Sequence, residues 1–115
     1  MTILQCHVKD DRRFRITKTR GDCLEGIGIP DGGSAIVDHA SDIQVGDVVH
    51  CTKMPGALNS YIKVVEETGD DVLVGTRYLD SSRDFQFVAG EIYGVVIAFL
   101  DNDGNIVWTA ERKVI

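Results

Sequence analysis

Apolar and polar residues alternate along this chain with the period of strands, and nowhere do they sustain the 3.6-residue period of a useful helix. In residues 13–17, Phe14 and Ile16 are separated by Arg13, Arg15 and Thr17. Ala35-Ile36-Val37 is a short apolar run behind the turn-forming Pro30-Asp31-Gly32-Gly33, and residues 47–51 follow a Gly46-Asp47 turn. Residues 61–65 are rich in β-branched and aromatic side chains. Val72-Leu73-Val74 comes next, after Thr68-Gly69-Asp70-Asp71, so the two segments predict a hairpin. Residues 91–100 are the longest strand candidate, and residues 105–109 follow Asp101-Asn102-Asp103-Gly104 as the second arm of another hairpin. Residues 53–60 (KMPGALNS) read as a loop. Short strands joined by Gly and Asp turns predict a compact all-β or barrel-like domain. No helix should exceed about three turns.

Length and composition narrow this picture. The 115 residues suggest one domain, able to bury a core without staples. Its hydrophobic fraction of 43% and charged fraction of 26% are those of an ordinary soluble protein. No apolar run approaches the ~20 residues of a membrane span, and the N-terminal MTILQCHVKDD is too charged for a secretory signal. A cytoplasmic protein without membrane contact is expected. The odd count of three cysteines, Cys6, Cys23 and Cys51, fits a reducing compartment better than a disulfide framework.

Two segments bear on metal binding. Cys6-His7 and His50-Cys51 are adjacent pairs, but neighbours on a strand point to opposite faces and cannot easily grip one ion. Asp101-Asn102-Asp103-Gly104 lacks the first and last ligands of a calcium loop, since Phe99 and Ala110 occupy those places. No metal or other cofactor is expected.

The net charge of −6 is unevenly spread. Residues 1–20 carry six basic side chains (Lys9, Arg12, Arg13, Arg15, Lys18, Arg20) against Asp10 and Asp11, a net +4; six basic and sixteen acidic groups follow, a net −10. The basic stretch reads chiefly as a solvated strand face, and nucleic acid is not an expected partner.

The segment that carries chemistry is Gly21-Asp22-Cys23-Leu24-Glu25-Gly26-Ile27-Gly28-Ile29-Pro30-Asp31-Gly32, continuing into Gly33-Ser34-Ala35-Ile36-Val37-Asp38. It is a glycine-rich turn that presents one side chain, followed by a second turn and a strand. From the residues alone it reads either as a structural turn holding a small half-buried thiol or as a presented nucleophile whose turn amides point at an anion.

The run resembles the Gly-Asp-Ser-Met-x-x-x-x-Ile-x-Asp-Gly-Asp signature of the LexA repressor, phage repressor and UmuD mutagenesis family, whose clan includes bacterial signal peptidases. The resemblance continues in order. Residues 42–49 (DIQVGDVV) are similar to the family's Gly-Asp-Ile-Val strand, Tyr61-Ile62-Lys63-Val64-Val65 to the strand with its catalytic lysine, and residues 90–97 (GEIYGVVI) to its closing strand. Residues from about 12 to 100 are covered. The fold this implies is mostly β, a LexA-like or signal-peptidase-like domain of small curled antiparallel sheets spanning 1–115, with 101–115 as an added C-terminal hairpin containing Trp108. The catalytic positions it implies are Cys23 as nucleophile and Lys63 as general base. A lysine has an ordinary pKa of about 10.4 and accepts a proton at neutral pH only when burial disfavours its charge; Lys63 lies in an otherwise apolar strand, with Tyr61 and Val65 on its face.

The departures bear on function. The family serine is Cys23, its methionine Leu24, and the last aspartate of Asp-Gly-Asp is Gly33. A thiol is the better nucleophile, but the longer C–S bond displaces it from a base placed for oxygen. Self-cleaving members carry an Ala-Gly or Cys-Gly bond ahead of the domain; none precedes Cys23, and Ala89-Gly90 is expected inside the β core, out of reach. The first expectation is therefore a peptidase-fold domain that does not cleave itself and acts as a dimerising interaction module with a protein or peptide partner. The second is an active Cys–Lys peptidase cutting in trans, and the third a thiol-reactive regulator using Cys23. The resemblance and the long apolar strand at 91–100, which needs a covered edge, lead us to expect a homodimer.

Overall fold

The segments with strand periodicity become strands in the structure, a computed structural model that describes residues 13–110. In chain order they are β1 (Phe14–Thr19), β2 (Gly33–Asp38), β3 (Val48–Thr52), β4 (Tyr61–Glu67), β5 (Leu73–Gly75), β6 (Gln86–Val88), β7 (Glu91–Leu100) and β8 (Ile106–Thr109). The helical pieces among the described residues are two single 3-10 turns, at Glu25–Ile27 and Ser81–Arg83. The fold is mostly β, as expected. Cys6, His7 and the basic and acidic groups of residues 9–12 lie outside the described residues, as do residues 111–115.

The strands form one antiparallel sheet in the order β1-β2-β7-β3-β4-β5-β6, with β8 also on β7, and the sheet does not close into a barrel. Both expected hairpins are present, β4 with β5 and β7 with β8. Four register shifts, between Ile36 and Val37, His50 and Cys51, Val65 and Glu67, and Phe99 and Leu100, mark β-bulges. Bulges bend a sheet and increase its twist.

β7 is the central strand. β2 takes one of its edges, from Ser34↔Leu100 to Asp38↔Val95. β3 and β8 share the other, β3 through Val49↔Val95 and His50↔Gly94 and β8 through Phe99↔Trp108. The long strand that seemed in sequence to need a partner molecule is thus covered within its own chain, and that motive for a dimer falls away. β7 also joins two halves of the sheet, β1-β2 on one side and β3 to β6 on the other.

Successive residues of the central strands feed different clusters. Ala35 and Val37 of β2, Val48 of β3, Val64 of β4 and Val96 and Phe99 of β7 meet Leu24 and Ile29 in the largest cluster. Val49, Cys51, Val65, Val74 and Val95 form a second, and Phe14, Ile36 and Ala98 a third. β3 is buried along its whole length and β2 nearly so. Strands covered on both faces read as apolar runs rather than alternations, which is why Ala35-Ile36-Val37 shows no period of two.

Candidate functional site: a cysteine and a buried lysine in an open cleft

The loop from β1 to β2 is held by apolar anchors on either side of its 3-10 turn. Leu24 and Ile29 are 3% and 4% exposed and sit in the largest cluster. Burial of two such side chains contributes about 1.5–3 kcal/mol each.

Backbone bonds fix the loop further. The Arg77 amide donates to the Cys23 carbonyl at 2.6 Å, and the Gly26 amide donates to the Arg77 carbonyl at 2.7 Å. This clamp requires glycine at 26, because a Cβ there would stand 2.7 Å from the Arg77 oxygen and 2.8 Å from the Tyr78 oxygen. Gly33, a departure from the family signature, has a φ of +119° and would bring a Cβ within 2.1 Å of the Leu100 carbonyl oxygen. An aspartate does not fit that backbone.

Cys23 is thereby presented, half-buried, with its sulfur 3.1 Å from Lys63 Nζ and 3.7 Å from the Ile62 carbonyl oxygen. Lys63 is 5% exposed. No carboxylate pairs with it among the described residues. Its ammonium position lies 5.3 Å from the Tyr61 ring centroid and 5.7 Å from that of Phe85, within the range in which ring faces attract a cation. The amides of Asp22, Cys23 and Leu24 take no part in the backbone bonds of the loop, so donors for a developing oxyanion remain beside the sulfur.

Both side chains line an open cleft of about 680 Å³, a volume that suits a ligand or a short peptide stretch. One wall is the end of β1, from Thr17 to Arg20; the other is the approach to β4, from Asn59 to Lys63. β1 is paired on one edge only among the described residues, and β4 meets β5 only from Val64 onward. Two strand edges therefore flank the thiol.

Cys51 and His50 take the opposite faces that adjacent strand residues must take. Cys51 is fully buried in the second cluster, where burial pushes its thiol up from the ordinary 9.0 to about 11 against the pull of Lys63. His50 lines the cleft, is 7% exposed, and neither ring nitrogen has a hydrogen-bond partner. Burial, then Arg15 and then His39 hold its pKa below the ordinary 6.5.

Sequence reasoning placed Ala89-Gly90 inside the β core, and the structure corrects this. The pair lies between β6 and β7, with Gly90 exposed and Ala89 half-buried. Its amides are nevertheless both engaged, Ala89 to the Val72 carbonyl and Gly90 to that of Thr52. Sequence reasoning also missed the 76–85 connection, which supplies Arg77 to the clamp and Phe85 to the lysine. Its signal was Asp80-Ser81-Ser82, a cap in which the Asp80 carboxylate accepts from the Ser82 amide. The connection is braced by Asp84, which accepts from the Tyr78 amide at 2.7 Å and from the buried Thr76 hydroxyl.

Comparison with protein-family models and with curated proteins finds no match to the chain.

Proposed function

We propose that this chain is a cysteine–lysine peptidase that cuts an extended peptide laid in the cleft. The observation that carries the reading is the 3.1 Å approach of a half-buried thiol to a buried lysine, facing open space. A nucleophile and a base within hydrogen-bond reach are the minimum that acyl transfer requires. The two flanking strand edges suit a peptide that adds main-chain hydrogen bonds to them.

The steps balance without a cofactor. Lys63 takes the thiol proton as the sulfur attacks the scissile carbonyl carbon, and the oxyanion is met by turn amides. The C–N bond then breaks, the leaving amine takes the proton from Lys63, and a thioester on Cys23 remains. Water attacks the thioester, gives a proton to Lys63, and releases the acid product; the sulfur recovers that proton. The sum is one peptide bond and one water converted to an acid and an amine. The need for a free thiol favours a reducing, cytoplasmic setting, and among the described residues no helix is long and apolar enough to cross a membrane.

The test is digestion of a mixed peptide library by the intact chain, with new termini read by mass spectrometry. We expect products that disappear in Cys23→Ala and in Lys63→Met, while the chain itself stays intact. Equal yields from wild type and Cys23→Ala would sink the reading.

A second reading, a homodimeric interaction module, draws on one observation. β6 is an edge strand that carries Val88, 49% exposed, and follows a connection that holds Leu79, 76% exposed. Pairing of two copies along β6 would cover them. A strictly monomeric mass by light scattering at high protein concentration removes that reading.

A further inference from the structure

The cleft differs in charge from the chain that forms it. The chain carries −6 overall. Among the described residues, the cleft lining holds Lys18, Arg20 and Lys63 and no aspartate or glutamate. Of the carboxylates next in sequence to lining residues, Asp31 accepts from the Gly21 amide at 2.6 Å and Asp22 pairs with Arg83 at 3.5 Å.

We infer that the segment received by the cleft is an acidic peptide, its carboxylates balanced by Lys18 and Arg20. This rests on the reading that a peptide occupies the cleft and adds the class of peptide. A basic cleft with low-dielectric walls concentrates field lines and raises the encounter rate of anions, and the effect fades as salt shortens the screening length. An acidic chain repels acidic peptides in general, so a local basic cleft also confines their binding to the thiol.

Two measurements on the full chain test the inference, both reading Cys23 by peptide mapping. The first compares an anionic sulfonatoethyl and a cationic trimethylammonioethyl methanethiosulfonate, each normalised to a free thiol. The anionic reagent should be favoured by about fivefold or more at low salt, and the preference should vanish at high salt and in Lys18→Gln/Arg20→Gln. The second measures protection of Cys23 from iodoacetamide by an octapeptide alternating valine and glutamate, by its valine–lysine counterpart, and by an oligothymidylate of equal charge to the acidic peptide. The acidic peptide alone should protect. Preference for the cationic reagent, equal protection by the lysine peptide, absence of protection by either peptide, or protection by the oligonucleotide in place of the acidic peptide would each overturn the inference. Protection by the acidic peptide without its cleavage would sink the peptidase reading and leave this one standing. Equal cleavage of both peptides would do the reverse.

Discussion

Cys23 and Cys51 both lie near Lys63, in different surroundings. Cys23 is 3.1 Å from the lysine nitrogen, at the wall of an open cleft, on a loop where the amides of Asp22, Cys23 and Leu24 make no backbone bond. Cys51 sits in a closed apolar cluster, fully buried, and its thiol is pushed up to about 11 although Lys63 pulls the other way. A nearby cation activates a thiol only where the resulting thiolate can be solvated or hydrogen-bonded; in an apolar pocket the desolvation cost of the anion prevails. Distance to a lysine therefore does not by itself favour a thiolate; the combination of distance, access and donors does.

The comparison is broken most severely by loosening what holds Cys23 in place. Leu24→Ala should lower unfolding stability by about 2–5 kcal/mol, the range for a leucine removed from a well-packed core, as read by denaturant melts. An unchanged midpoint would mean the loop is not anchored by that side chain. The native contrast comes next in size. Iodoacetamide at mildly alkaline pH should modify Cys23 faster than Cys51 by about two orders of magnitude, by mass-spectrometric mapping of the folded chain. Equal rates would erase the distinction.

Alkaline stability sharpens the Cys51 side. Its thiol stays protonated in the folded chain from pH 9 to about 11, a window in which the unfolded chain releases that proton. The unfolded state then binds fewer protons, so stability falls as pH rises. The contribution is intact below pH 9 and is lost through pH 11, on the order of 2–3 kcal/mol. Cys51→Ala should flatten that slope in melts taken between these pH values; an identical slope would place the titration elsewhere.

The smallest effect concerns the pair itself. Lys63→Met keeps the bulk and removes the charge. It should alter the pH profile of Cys23 alkylation, by about tenfold in rate at the most affected pH. Superimposable profiles would mean that the two side chains do not interact.

Much of the fold was legible because its signals are local. The period of two at residues 13–17, the Thr68-Gly69-Asp70-Asp71 turn and the Asp101 turn, where the Asp101 carboxylate accepts from the amides of Asp103 and Asn105, each announce an element within a few residues. β6 was not legible: Gln86-Phe87-Val88 is three residues long, with its outer two exposed. Nor was the insertion of β7 between β2 and β3, since pairing between residues 39 to 66 positions apart leaves no local pattern. Cys23 and Lys63 stood out through resemblance, and the structure brings them together. His50 was weighed only as a metal neighbour of Cys51; that it lines the cleft depends on tertiary packing. The same holds for Phe85, which reaches Lys63 because Thr76 and Asp84 fold its connection back.

The central position of β7 has a consequence in time. Cys23 belongs to the β1–β2 half of the sheet and Lys63 to the half from β3 to β6. The hairpins within the second half can close early, because their loops are short. The two halves are joined by β7, which follows both in sequence, and such long-range pairing is a late and slow step. A chain still being made holds the thiol and the amine before the strand that joins their halves, and until then only the Arg77 clamp and the packing of the loop draw them together. The final 3.1 Å approach of sulfur to nitrogen is in this way set late, as the sheet is completed.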